Sequence, residues 1–341
     1  MPVTKRQFFA SLLVLAVCLV AANEFIAFLT RHSLPRRFLA NIADAPGAPI
    51  VALGNSLLVV GFDVPEFNSL MNFNGPGNEA INLAMGSTNP VEHLLFLRYA
   101  LSHRIHPKLV IYGFLDLQLT DPVVLSNGDI VGNHDLLYYL DPEYARGFYH
   151  LSPRESAEFE VMRRAAMLAD RSAIWAKVEI FRRRLAAHGM PPVQENRFGR
   201  VKDFSLLEPQ EGGDFASQAG AAAGAPFTPA VQEILRQASD AGARVVFVEM
   251  PMPSRHRRLF YDNSSWARYR AHLRALAAAG AAGYINASDW ITDDSLFSDH
   301  IHLNDSGSVV FTRMLAEAIR REKLIRVAPP SVSASSVAET P

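Results

Sequence analysis

The sequence predicts an α/β fold built on a mainly parallel sheet. Short apolar runs alternate with longer segments of helical periodicity along most of the chain. The runs are apolar at nearly every position, which is typical of strands covered on both faces. With 341 residues, of which 49% are hydrophobic and 20% charged, the chain can also bury a substantial core. We therefore expect a sheet between layers of helices.

Five strands and four main helices follow from these patterns. The predicted strands are 50–54, 80–84, 109–113, 244–249 and 284–287, and the predicted helices are 90–102, 229–241, 266–279 and 306–321. Side chains that follow parallel strands meet at the carboxyl edge of the sheet, where open α/β folds bind ligands. Polar residues far apart in the sequence can therefore form one site.

The N-terminal segment is apolar enough to cross a membrane. Lys5 and Arg6 precede an uncharged run at 8–22, and apolar character resumes to Leu29, which is long enough for a spanning helix. A cleaved signal peptide is the alternative, because the uncharged run is only about 15 residues long.

We expect residues 1–30 to be an uncleaved anchor and residues 31–48 a linker. Since a large following domain is translocated largely irrespective of charge, the predicted location is a single pass through the cytoplasmic (inner) membrane. The domain at 49–325 would then lie on the periplasmic or extracellular side.

An insertion is predicted at about 117–227, between the third and fourth strands. It contains a predicted helix at 153–187 and then a Pro-, Gly- and Ala-rich stretch to Gly224, which is typical of a mobile loop. Its aromatic residues either line a groove or form the core of a small helical subdomain: Tyr138, Tyr139, Tyr144, Phe148 and Tyr149. The tail at 326–341 has the composition of a disordered segment.

Composition excludes several classes of function. The net charge of −1 argues against a nucleic-acid partner. Cys18 is the only cysteine, so no intramolecular disulfide is possible. Histidines at 93, 103 and 106 lie on or near one helix, but no carboxylate or cysteine pattern completes a ligand set, so we expect no metal and no cofactor.

Two short segments near the ends of the chain carry the groups of an acyl-transfer site. Ser56 follows the first strand, in Gly-Asn-Ser, and Asp299 and His302 stand three residues apart before the last helix. Together they supply a nucleophile, a base and a carboxylate that orients the base. Each residue has a structural alternative as a turn, cap or solvated side chain, and His300 is a second histidine in the same loop.

These residues resemble the blocks of the SGNH (GDSL-like) hydrolase family over about residues 49–322. The resemblance implies a three-layer α/β/α sandwich, with Ser56 as nucleophile, Asp299 as orienting carboxylate and His302 as base. The family's second block is similar to residues 81–88 and implies that the backbone NH groups of Ser56 and Gly86 form the oxyanion hole.

The third block departs from the family pattern. The family has Gly-x-Asn-Asp after the third strand, whereas this chain has Gly-Phe-Leu-Asp, with Leu115 in the place of an oxyanion-stabilising asparagine. Loss of one such donor costs about 100- to 1,000-fold in rate, which weakens a site without abolishing it. Gln118 is a nearby amide that could substitute if its loop bends inward.

The anchored arrangement is similar to that of SGNH proteins of cell-envelope polymer modification, including alginate O-acetylation and teichoic acid D-alanylation. The resemblance implies a serine O-acyltransferase or esterase that moves O-acetyl groups to or from a cell-envelope polysaccharide or another hydroxyl acceptor. It also implies a multi-spanning membrane acyltransferase as partner. The alternatives are a non-catalytic SGNH-fold scaffold, favoured by Leu115, and a plain secreted carboxylesterase or lipase.

Overall fold

The fold contains one parallel sheet of five strands, in the order β2-β1-β3-β4-β5. The computed structural model describes residues 4–31, 39, 42, 45, 47–73, 77–120, 141–186 and 209–325. The strands are β1 (Ile50–Gly54), β2 (Ile81–Asn82), β3 (Leu109–Phe114), β4 (Arg244–Glu249) and β5 (Gly283–Asn286). The predicted α/β class with a mainly parallel sheet is thus confirmed.

Helices connect the strands and fill the insertion. They are α1 (Lys5–Thr30), α2 (Ser56–Gly61), α3 (Val64–Met71), α4 (Pro90–Ser102), α5 (Pro142–Tyr149), α6 (Pro153–Arg164), α7 (Ala166–Ala169), α8 (Arg171–Ala186), α9 (Pro209–Ala222), α10 (Pro229–Asp240), α11 (Ser254–His256), α12 (Ser264–Ala279) and α13 (Asp305–Arg321). A π-helical turn at Arg257–Tyr261 follows α11, and a 3₁₀ turn at Asp294–Leu296 precedes α13.

Helices cover both faces of the sheet. The chain moves outward from β1 to β2 through α2 and α3, then back across β1 to β3 through α4. Because such crossovers are right-handed, these two connections lie on opposite faces. The helix α13 packs on α2 and α3, whereas α10 packs beside α4. The result is a three-layer α/β/α sandwich.

The chain continues along β1 beyond the short strand β2. Backbone hydrogen bonds join Leu83 N to Ala52 O (2.8 Å) and Met85 N to Gly54 O (3.0 Å). The predicted strand 80–84 is therefore shorter as a regular strand, because the side chain of Asn82 accepts from Ala84 N (2.9 Å) and competes with the ladder. The extended course still carries residue 86 to the carboxyl end of β1.

The N-terminal segment forms one helix as predicted. A capping box between Thr4 and Gln7 starts α1. The helix has 26 residues and a mean hydropathy of 2.5 over its most apolar stretch, none of which is buried. By length and composition α1 is able to cross a membrane.

Two predictions in the insertion were wrong. The single helix at 153–187 is three helices, interrupted at Ala165 and Asp170, where contacts with α1 replace helix continuation: Ala166 N donates to Asn23 Oδ1 (2.6 Å) and Thr30 Oγ1 donates to Asp170 Oδ2 (2.5 Å). The stretch predicted as a mobile loop contains α9. Ala219 of α9 is buried against α12. The predicted disordered tail lies outside the described residues.

Two glycines allow β1 and β3 to approach closely where the site begins. Gly54 pairs with Gly113 in the parallel register, and a Cβ at Gly54 would lie 2.6 Å from Gly113 O. We therefore expect Gly54→Ala to lower the free energy of unfolding by about 1 to 3 kcal/mol through overpacking. Thermal unfolding in detergent, followed by circular dichroism, measures this effect.

The matched control is Gly213→Ala in α9, where an added Cβ meets nothing within 4 Å. Because alanine is the better helix former, this variant should keep or raise the melting temperature. Equal melting temperatures for Gly54→Ala and the wild type would contradict the prediction.

Candidate active site

Ser56 lies at the carboxyl end of β1, in the first turn of α2. The buried side chain of Asn55 caps this helix by accepting from Leu57 N (3.0 Å). Asn55 therefore has a structural role as the cap of α2. The sharp change from strand to helix leaves the Ser56 hydroxyl at the edge of the sheet.

Asp299 and His302 lie in a tight loop that local hydrogen bonds hold in shape. Ser298 N donates to His302 O (2.7 Å), and Phe297 pairs with Leu303 across the base of the loop. One carboxylate oxygen of Asp299 accepts from the backbone NH of Ile301 (2.9 Å) and of His302 (2.7 Å). These backbone hydrogen bonds therefore fix the orientation of the Asp299 carboxylate relative to the His302 imidazole.

The fold brings the three predicted residues into one hydrogen-bonded chain. His302 Nδ1 lies 2.8 Å from Asp299 Oδ2, and His302 Nε2 lies 2.9 Å from Ser56 Oγ. Because a carboxylate only accepts, Nδ1 carries the proton, and the lone pair of Nε2 can accept the serine proton. His302, and not its neighbour His300, is the histidine that makes these two bonds.

The Asp299 carboxyl is held in its ionised form. Burial by itself would raise its pKa, but hydrogen bonds from the His302 ring and from the backbone NH groups of Ile301 and His302 lower the pKa to about 2. Asp299 is thus a permanent negative charge beside the imidazole near neutral pH. Such a charge stabilises the imidazolium that forms when His302 accepts a proton.

Gly86 lies next to Ser56, as an oxyanion hole requires. A Cβ built on Gly86 would be 3.7 Å from Ser56 Cβ. Within the part of the chain that the structure describes, no hydrogen bond uses the backbone NH of Ser56 or of Gly86. Both donors are therefore available to an oxygen atom of a ligand.

Leu115 and Gln118 both line the cavity beside Ser56. Gln118 Oε1 accepts from Asn55 Nδ2 (3.1 Å), and Gln118 Nε2 donates to Thr88 O (3.3 Å). The loop does bring the Gln118 amide to the site, next to the residue that precedes the serine. Its service as a third oxyanion donor in place of the family asparagine stays a prediction.

A series of buried side-chain hydrogen bonds, which the sequence did not predict, supports the loop that contains Gly86. Thr88 Oγ1 donates to Met85 O (2.6 Å) and accepts from His93 Nε2 (2.9 Å), while His93 Nδ1 accepts from Tyr112 OH (2.7 Å). Burial lowers the pKa of His93 to about 3, so its ring is neutral. From the sequence His93 was expected only to lie on or near a helix, and no sequence signal linked it to Thr88.

A second cluster near the site was also missed. Asp116 follows β3 with a left-handed φ of 48° and lines the cavity. Its Oδ1 accepts from Tyr261 OH (2.8 Å) and lies 3.3 Å from His256 Nε2. His256 belongs to a basic run at 255–258, a composition typical of a solvated surface, but its side chain is buried because it packs against Phe260 and Tyr261.

A cavity of about 1590 Å³ opens beside Ser56 and is walled largely by the insertion. Tyr144 of α5 lines it, with the Arg98 guanidinium 3.7 Å from the centre of its ring, and Arg98 also pairs with Asp141 (2.9 Å). Phe215 and Phe227 form apolar walls. Of the aromatic residues expected either to line a groove or to form a subdomain core, Tyr138 and Tyr139 lie outside the described residues, as do the side chains of residues 148 and 149.

Over the described ranges, no group of three or more His, Cys, Asp or Glu side chains is placed to hold a metal ion. The chemistry that the site offers is that of its serine, imidazole, carboxylate and backbone NH groups.

No family model matches this chain, and no curated protein matches it. Solved structures with a similar course of chain include a predicted acylhydrolase from Bacteroides fragilis (12% identity, 86% of this chain and 98% of that chain, TM-score 0.39). A GDSL-like lipase from Bacteroides thetaiotaomicron is similar at 11% identity (85% and 98%, TM-score 0.37), and a carbohydrate acetylesterase from Sinorhizobium meliloti at 14% (81% and 99%, TM-score 0.32). At these values the likenesses carry no argument about function.

The lowered pKa of Asp299 predicts a pH-dependent contribution to stability. Since its folded pKa lies near 2 and its ordinary value is 3.8, the ionised carboxylate stabilises the fold above pH 4, and this contribution is lost as the pH falls towards 2. We expect Asp299→Asn to cost about 1 kcal/mol at pH 7, after allowance for solvent screening.

Urea unfolding of both proteins between pH 7 and pH 3 measures this difference, which should shrink as the pH falls. Asp289→Asn, at an exposed position, is the control and should behave as the wild type does. A difference between Asp299→Asn and the wild type that stays constant with pH would contradict the assignment.

Proposed function

We propose that this protein is a serine esterase or O-acyltransferase of the SGNH type. The observation that carries the proposal is that His302 is hydrogen-bonded at the same time to Ser56 Oγ and to Asp299 Oδ2. A serine hydroxyl is a weak nucleophile until an adjacent base removes its proton, and this geometry supplies such a base.

The first half of the reaction forms an acyl-serine. Ser56 Oγ attacks the carbonyl carbon of the donor ester while its proton passes to His302 Nε2, and the carbonyl electrons move onto the oxygen. The NH groups of Ser56 and Gly86 bind that oxyanion. When the carbonyl reforms, the bond to the donor oxygen breaks, and the leaving alkoxide takes the proton from His302.

The second half transfers the acyl group. An acceptor hydroxyl, or water, gives its proton to His302 and attacks the acyl carbon. The bond to Ser56 Oγ then breaks, and the proton returns to the serine. Asp299 stays ionised throughout and stabilises the imidazolium in both halves.

Two features favour a hydroxyl acceptor larger than water. The cavity of about 1590 Å³ far exceeds the space that an acetyl group needs, and Tyr144 and Arg98 offer a ring and a cation to a polar acceptor. Leu115 supplies no side-chain amide donor, so the oxyanion hole is weaker than that of the family. An acceptor that is bound and oriented beside the acyl carbon compensates for this loss better than free water does. With the family resemblance, these features support O-acetyl transfer to or from a cell-envelope polysaccharide.

The proposed location is the cytoplasmic membrane, with the catalytic domain outside it. The length and hydropathy of α1 support an uncleaved anchor, for which a cleaved signal peptide is the alternative. A multi-spanning membrane acyltransferase that presents the acyl donor is part of the same proposal and rests on the resemblance alone.

The second candidate is a non-catalytic scaffold, favoured by Leu115 in the place of the family asparagine. The hydrogen-bonded Ser56, His302 and Asp299 argue against it, because a decayed site has no physical need of an oriented imidazole. The third candidate is a plain secreted esterase, which would use water as the acceptor and would have a cleaved N-terminus.

An activated serine should react with a fluorophosphonate. We expect the intact mass of the wild type to rise by one adduct, and we expect Ser56→Ala and His302→Ala to lose the adduct, since removing a triad member slows acylation by on the order of 10⁴-fold or more. Ser69→Ala, at an exposed serine of α3, is the control and should react as the wild type does. An unreactive wild type would favour the scaffold.

Transfer of acetyl groups to the polymer, as opposed to their removal from it, predicts a loss of acetylation in cells. A strain that carries Ser56→Ala should produce an envelope polysaccharide with less O-acetyl ester than the parent strain, as measured by ester release and chromatography. A Ser69→Ala strain should match the parent. If acetylation is unchanged in the Ser56→Ala strain although the adduct test is positive, the polymer proposal is wrong. The protein would then be an esterase or acyltransferase that acts on another substrate.

A further inference from the structure

Exposed apolar side chains lie on α7 and α8, whose residues are not among those that line the catalytic cavity; we call them the apolar stripe. It consists of Met167, Leu168, Trp175, Val178 and Phe181, which are between 40% and 70% exposed. Its three α8 members are spaced by three residues and so share one face of the helix. Five large apolar side chains exposed on two successive helices are more than a soluble surface usually carries, and such a grouping is typical of a contact site.

Polar contacts fasten the same two helices to the last two turns of α1. Ala166 N donates to Asn23 Oδ1 (2.6 Å), Thr30 Oγ1 donates to Asp170 Oδ2 (2.5 Å), and Lys177 Nζ donates to Leu29 O (2.6 Å). Asp170 and Thr30 are buried in this contact. The position of the stripe is therefore set by the end of α1.

If α1 spans a bilayer, its length places that end near the membrane surface. The uncharged run 8–22 covers about 22 Å, whereas the hydrocarbon core of a bilayer is about 30 Å thick. The last two turns of α1 must therefore supply the remaining hydrophobic length. Their side chains Phe25, Phe28 and Leu29 are exposed and apolar. The helices bonded to Asn23 and Thr30 lie at the same level.

We propose that α7 and α8 dock on the lipid bilayer, with the apolar stripe inserted at the boundary between headgroups and acyl chains on the domain's side. The proposal rests on α1 being an uncleaved anchor and is independent of the chemistry at Ser56. Tryptophan favours this interfacial depth, and a helix with one apolar face binds there in the plane of the membrane. Docking would hold the catalytic domain in one orientation above the bilayer.

Spin labels on the full chain test the two parts separately. In vesicles of phosphatidylcholine and phosphatidylglycerol, a label on the native Cys18, which is exposed on α1, reports the anchor. A label at Val178→Cys in a Cys18→Ala background reports the stripe. A label at Val310→Cys in that background is the control, because Val310 is an exposed valine on α13. Circular dichroism checks that each variant is folded.

We expect oxygen to relax the labels at Cys18 and Val178→Cys several-fold more effectively than a water-soluble nickel chelate does, and the reverse at Val310→Cys. A lipid-exposed Cys18 label with a water-exposed label at position 178 would overturn the docking and leave the anchor. A label at 178 that neither reagent reaches would mean that protein, from a second copy or a partner, covers the stripe, which also overturns the proposal. A water-exposed Cys18 label would remove the anchor and the docking with it.

Discussion

The pairing of β1 with both of its neighbours is the constraint on which the site depends. Its register with β3 sets Gly54 opposite Gly113, and the bonds from Leu83 and Met85 carry the adjoining chain to the same edge. The pairing of the strands therefore makes Ser56 and Gly86 neighbours. Parallel strands make this convergence possible because their carboxyl ends all open at one edge.

A buried ion pair supports the other half of the sheet. Glu249 at the end of β4 is fully buried and accepts from Arg270 Nη2 (2.6 Å), Trp266 Nε1 (3.3 Å) and Tyr284 OH (2.5 Å). A buried carboxylate is tolerated only when its acceptors are satisfied, and here the donors come from α12 and β5. Trp266 in turn stacks on Tyr261 at 4.3 Å, which joins this cluster to Asp116 in the cavity wall.

The helices of the insertion make contacts of two kinds. Its helices α5 and α9 wall the cavity beside Ser56, whereas α7 bonds to α1 through buried Asp170. The insertion that shapes access to the proposed nucleophile thus also contacts α1. The contacts of Asn23, Leu29 and Thr30 end on residues of α7, of α8 and of the turn between them.

The sequence by itself determined the α/β class and four of the five strands to within a residue, because apolar periodicity is a local property. It also singled out Ser56, Asp299 and His302 as candidates, because the Asp-x-x-His spacing and the resemblance to family motifs are both contained in short segments. It could not determine the break of the helix at Ala165 or the helix α9, since contacts with α1 and burial against α12 decide both. Tertiary structure alone decided that Thr88 and His93 support the Gly86 loop and that Gln118 reaches the site. Those contacts join side chains whose proximity depends on how separate elements pack, and local sequence carries no signal for it.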